Sequence, residues 1–148
     1  MVASHERRVG ECQAGFNMVI RCEISRRFRA CGRPGIAVCQ YCGRSFCEHH
    51  GDMLEDGQEI CDETTCRKKK EDLIRHFAFK ETVDGRNAER QCGEEPCTVE
   101  PQYQCSKCEG LFCLSHLKER DVETRDGATA RASVCGHCHK RRKLWSRR

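Results

Sequence analysis

A ligand-like pattern that recurs at a fixed offset constrains this chain more than any other feature. Residues Cys39 to His50 read CQYCGRSFCEHH, and residues Cys105 to His116 read CSKCEGLFCLSH. Each copy runs Cys, two residues, Cys, four residues ending in Phe, Cys, two residues, His. The offset is 66 throughout, and Cys31 and Cys97 each lie eight positions upstream of their copy. An internal repeat of this kind sets the architecture before any local reading does. Thiolates and imidazoles at such spacings suit a tetrahedral metal ion with sulfur and nitrogen ligands, above all Zn²⁺.

Composition explains why the chain needs such a staple. Leu, Ile, Val and Phe make up 25 of 148 residues. Two lobes of that composition bury too little apolar surface to stand alone, and the 15 cysteines supply cross-links instead. Disulfides are the competing staple. The odd cysteine count, the closely spaced pairs and an N-terminus without an apolar stretch of signal-peptide length argue for metal. The expected setting is therefore reducing and intracellular, cytoplasmic with the nucleus also open, and no run of apolar residues is long enough for membrane insertion. Counting 14 thiolates and four divalent ions turns the formal charge of +4 into −2, and the last ten residues hold six of the cations and no acid. The metallated body then stands near −8, so docking to phosphate is expected only at short basic segments.

Taken in order, residues 1–15 are polar, 16–79 form a first module, 80–91 read as a linker with an Asp84-Gly85 turn, and 92–148 form a second module. FNMVI, residues 16–20, reads as a short strand. Asp56-Gly57 and Asp126-Gly127 each sit between apolar-containing runs and signal hairpins. Basic helix-compatible segments follow the last cysteines of both copies. In the first, Leu73, Ile74 and Phe77 form a stripe expected to pack on its own or the neighbouring module core, the alternative being a partner-binding helix.

A Cys-x-x-Cys knuckle, a hairpin and two further cysteines at a helix start make a treble clef, in which the helix dipole favours the thiolates. This pairs Cys39 and Cys42 with Cys61 and Cys66, and Cys105 and Cys108 with Cys135 and Cys138. The remaining ligands form a second site in each copy: Cys22, Cys31, Cys47 and His50, then Cys92, Cys97, Cys113 and His116. Cys12 is a spare thiol or else replaces Cys22 as first ligand, and His49 is the exposed neighbour of His50. The expected fold is a small, metal-stabilised α+β chain of two tandem treble-clef modules. Each holds two interleaved, cross-braced zinc sites, about four Zn²⁺ in all.

CSKCEGLFCLSH followed by SVCGHCHKRRKL resembles the second half of a FYVE-type zinc finger, and B-box fingers share a similar central spacing. RING fingers resemble it less, because they place fewer residues between the fourth and fifth ligands. The resemblance covers about 45 residues of each copy. Phosphoinositide binding does not carry over: that function goes with a basic Arg/Lys-His-His-Cys stretch, and the corresponding residues here are RPGIAVC and VEPQYQC. Four protein ligands at every site leave no open position for catalysis. His137 and His139 read as exposed residues or weak alternative ligands, and a nuclease-like role for them or for His76 is the weakest reading. The expectation is a non-catalytic interaction module for a protein partner. The alternatives are weak nucleic-acid binding through Lys140, Arg141, Arg142, Lys143 and Trp145, with Arg67–Lys70, and a ubiquitin-ligase-like adaptor role by fold analogy.

Overall fold

The computed structural model describes residues 20–26, 29–124 and 126–146. Residues 1–15, most of the FNMVI segment and Cys12 lie outside the described residues. The described residues are α+β, with five two-stranded antiparallel sheets and two α-helices among them. The first copy contains β1 (Ser25–Arg26), β2 (Arg29–Ala30), β3 (Ala37–Val38), β4 (Ser45–Phe46), β5 (Gly51–Met53) and β6 (Glu59–Cys61), followed by α1 (Thr64–Ala88). The second contains β7 (Tyr103–Gln104), β8 (Leu111–Phe112), a 3-10 turn at Leu114–His116, β9 (Leu117–Glu123), β10 (Thr129–Cys135) and α2 (Gly136–Trp145).

The repeat is visible in the pairing register. β3 and β4 set Ala37 opposite Phe46, and β7 and β8 set Tyr103 opposite Phe112, the same positions at an offset of 66. Both phenylalanines are fully buried. Asp56-Gly57 and Asp126-Gly127 do close the β5–β6 and β9–β10 hairpins, with φ of +76° at Gly57 and +83° at Gly127, where an L side chain is disfavoured. The second of these hairpins is much longer, seven residues in each strand against three.

Two cores form, one per copy, and cysteine dominates both. In the first, five of nine buried residues are Cys, joined by Ile24, Ala37, Phe46 and Ile60. In the second, six of ten are Cys, joined by Val83, Phe112, Leu117 and Val134. Cores of this size bury little hydrocarbon, so whatever ties the sulfurs together carries the folding.

Two sequence expectations give way here. Residues 80–91 contain no turn at Asp84-Gly85, because α1 runs unbroken to Ala88. A helix-interior glycine costs about 1 kcal/mol, but tertiary bonds hold this end. Arg86 Nε donates to the Cys92 carbonyl at 2.8 Å and its Nη2 to that of Cys97, while Asn87 exchanges bonds of 2.9 and 2.8 Å with the Leu111 backbone. Val83 closes against Gly93 and Gly110, where a Cβ would lie 2.9 Å and 2.5 Å from its Cγ1. The second correction concerns the stripe of Leu73, Ile74 and Phe77. Only Leu73 is half-buried; Ile74 and Phe77 are exposed. The face of α1 that packs instead carries Asp72, His76, Phe79 and Val83. No helix among the described residues is long and apolar enough to cross a membrane.

Candidate metal centres

Four clusters assemble, each from four side chains that approach within 4.8 Å of one another: Cys22, Cys31, Cys47 and His50; Cys39, Cys42, Cys61 and Cys66; Cys92, Cys97, Cys113 and His116; Cys105, Cys108, Cys135 and Cys138. The chain thus brings together the same groups that the spacing pairs. The local reasons are short turns. After each knuckle the next residue takes a left-handed conformation, Gly43 at φ +73° and Glu109 at +65°, and its N–H returns to the Cys39 or Cys105 carbonyl. Beyond each hairpin one cysteine ends a strand, Cys61 on β6 and Cys135 on β10, and one lies in the first turn of the helix, Cys66 on α1 and Cys138 on α2. Cys135 also caps α2, its sulfur accepting from the Cys138 N–H at 3.5 Å.

The edges of these clusters test whether an ion fits. Metal–sulfur bonds of about 2.3 Å and metal–nitrogen bonds of about 2.0 Å require tetrahedral S···S edges of about 3.8 Å and S···N edges of about 3.5 Å. The S···S edges observed are 3.9 Å for Cys31–Cys47, 3.8 Å for Cys42–Cys61, 3.9 Å for Cys97–Cys113 and 4.0 Å for Cys108–Cys135. The Nδ1 atoms of His50 and His116 lie 3.3–3.5 Å from their neighbouring sulfurs. These lengths are far beyond a disulfide bond of about 2.05 Å, and every described cysteine is free.

Proton binding points the same way. At the second four-cysteine cluster the Cys105 thiol is pushed far down, because Cys108, Cys135 and Cys138 donate to it. Cys138 is driven far up by its contacts with Cys105, Cys108 and Cys135. At the first, burial pushes Cys61 up to about 11, while Cys39 falls to about 7 because backbone N–H groups around it outweigh its own burial. Four adjacent sulfurs cannot all ionise alone, and a cation removes that conflict.

The remaining residues singled out in the sequence are placed as follows. His49 is exposed, 3.5 Å from Glu48. His137 is half-buried rather than exposed, because its ring stacks on Phe79 at 3.9 Å between centroids and its Nε2 lies 3.2 Å from His76 Nδ1. His139 bonds Arg142. Lys140, Arg142 and Lys143 are exposed and Trp145 is 39% exposed, but Arg141 and Trp145 are each engaged. Both donate to Asp72 Oδ2 on α1, at 2.7 and 2.6 Å, and Lys69 lies over the indole. Sequence reasoning missed Asp72, and nothing in a run of charged residues marks one acid as the buried one. On the first copy Arg67 is likewise taken up, by Asp52 at 2.6 Å. Compared with protein-family models, curated proteins and solved structures, the chain matches none.

Proposed function

We propose that the four clusters hold structural Zn²⁺ in two tandem, cross-braced treble-clef modules of FYVE-like spacing, and that the protein is a non-catalytic module for protein–protein contact. The observation that carries this reading is that each cluster brings four protein ligand atoms within 4.8 Å of one another inside a core made mostly of cysteine. Such an ion has no open coordination position for a substrate, and its binding free energy is the folding free energy. Mixed thiolate and imidazole ligation favours zinc over harder ions. A protein partner suits a metallated body of net negative charge whose surface shows scattered apolar side chains, among them Ile36, Met53 and Leu114. The nucleic-acid reading is weaker, because Arg141 and Trp145 serve the Asp72 contact instead of standing free for phosphate or base.

Elemental analysis of purified protein should give about four zinc per chain, and chelation should unfold it. Two metals or fewer in well-folded protein, or iron in place of zinc, would overturn the zinc assignment. Nucleic-acid affinity should be no better than the roughly 10⁻⁴ to 10⁻⁶ M of non-specific binding at physiological salt. A specific nucleic-acid site bound at nanomolar strength would replace the protein-partner reading.

A further inference from the structure

The solvent face of α1 has an order that neither the metal centres nor the helix's own packing explains. At 100° per residue, Lys70, Ile74, Phe77, Glu81 and Asp84 fall within an arc of about 80°. Asp72, His76, Phe79 and Val83, which pack against α2 and the second core, lie on the opposite side. Ile74 and Phe77 are 60% and 59% exposed, side by side at i and i+3, with a basic flank toward the N-terminus and an acidic flank toward the C-terminus. The spacing Arg67, Lys70, Ile74, Phe77, Glu81, Asp84 alternates three and four residues, as along the seam of a coiled coil.

The seam is complementary to itself when one copy is reversed. Laid antiparallel on a second α1, with the two-fold axis between Arg75 and His76, Ile74 meets Phe77 of the second copy and Phe77 meets its Ile74. One layer out, Lys70 meets Glu81 of the second copy, and Glu81 meets its Lys70. The next layer sets Arg67, already bonded to Asp52 of its own chain, opposite Asp84 of the second copy. Every charge on the seam meets its opposite, and the four large apolar side chains share the centre. A parallel arrangement would instead set Lys70 against Lys70 and Glu81 against Glu81. Two-fold interfaces require this kind of self-complementarity. We propose that α1 is a homodimerisation helix, pairing antiparallel with α1 of a second copy of this chain across Ile74 and Phe77. The pairing does not rest on the identity of the bound ion or of any other partner.

The test uses the full-length, metal-loaded chain in sedimentation equilibrium over a concentration series. A reversible doubling of mass is expected, and mass that stays at one chain up to about 1 mM, the weak limit of specific association, overturns the proposal. Phe77→Glu should abolish the dimer while metal content and helical signal stay unchanged, since the side chain is exposed. An unchanged dimer in that variant shows that another surface is used and also overturns it. The decisive arm is a charge exchange. Lys70→Glu or Glu81→Lys alone sets like charges opposite each other at two symmetric places and should weaken the dimer about tenfold. The double variant Lys70→Glu with Glu81→Lys restores the pairs in reverse and should recover the affinity to within about threefold. Single variants that associate as tightly as the parent mean parallel or non-specific apolar association, and either that result or failure of the double variant to recover overturns the antiparallel pairing. The exchange also keeps the proposal testable if Phe77→Glu disturbs folding.

Discussion

At the first four-cysteine centre Cys42 is exposed, whereas its counterpart Cys108 at the second is buried, 3% exposed. The two knuckles share one spacing and one turn, so the difference between Cys42 and Cys108 arises in what covers them. α1 leaves the first module at Cys66 and lays Phe79 and Val83 on the second, where Val83 packs against Phe112, Gly93 and Gly110. In the reverse direction α2 reaches the first module, with Trp145 6.5 Å from Tyr41. The first core relies instead on its own Ile24 and Ile60. In a chain this poor in aliphatic residues, ligand spacing fixes where the candidate metal centres form. The order of the two copies along the chain then decides which centre is sheltered.

The largest effects expected come from breaking that contrast at equivalent ligands. Cys108→Ser should strip the buried centre and unfold the second module, because about 10–16 kcal/mol of apparent metal-binding free energy at pH 7 is at stake in a site of this kind. Cys42→Ser removes a thiolate from an exposed corner, where water can take the vacated position, so metal there should be weakened but retained at neutral pH. Metal stoichiometry with thermal unfolding separates the two. Equal loss from both variants would mean that the shelter given by α1 contributes nothing.

Next comes the return contact between the helices. Asp72 and Arg141 form an ion pair with side chains only 10% and 16% exposed, completed by the Trp145 N–H. Removing one partner of a buried pair typically costs about 3–5 kcal/mol. Asp72→Ala should therefore destabilise the chain by about 3 kcal/mol and shift the fluorescence of Trp145, whose N–H loses its acceptor, with metal content unchanged. Burial works against ionising Asp72, but the Trp145 and Arg141 hydrogen bonds outweigh it and hold the carboxyl below its ordinary value. A carboxyl depressed in the folded state contributes stability that is present above the unfolded value of about 3.9 and is lost as pH falls through the folded one. Structure lost on acidification at higher pH therefore reports protonation of the thiolate centres, not of this contact. An Asp72→Ala chain should share that upper transition with the parent.

What the sequence made legible follows the same division between local and distant forces. The four ligand groups and both Asp-Gly hairpins rest on chemistry within a few tens of residues, and they were readable from spacing and turn type. Asp84-Gly85 carried the same turn signal and misled, because Arg86 and Asn87 find carbonyls on the second module that a local reading does not contain. Periodicity placed Leu73, Ile74 and Phe77 near one another on α1 but could not say which side of the helix meets a neighbour. Asp72 and Val83 gave no signal at all. One is an acid inside a charged run and the other a lone valine in a polar one, and each is buried by a partner far along the chain.

The smallest effect expected is also the cleanest comparison, at the residue after each knuckle. Gly43 and Glu109 occupy the same place in the two copies, both left-handed, at φ +73° and +65°. The conformation is imposed by the turn, since each N–H must reach the Cys39 or Cys105 carbonyl, at 2.8 and 2.9 Å. An L side chain there costs roughly 1–2 kcal/mol, offset in part by the smaller entropy it loses on folding compared with glycine. Nothing lies within 4 Å of a Cβ built at Gly43, and Glu109 is exposed, so packing does not confuse the outcome. Gln104 bonds the Glu109 carbonyl rather than its carboxylate, and that bond survives substitution. Glu109→Gly should stabilise the second module by about 0.5–1 kcal/mol, and Gly43→Ala should destabilise the first by about 1 kcal/mol. Denaturant unfolding of metal-loaded protein measures both. Opposite signs are required if the two knuckles share one backbone geometry, and a loss in both variants would show that Glu109 is held by its side chain rather than merely tolerated.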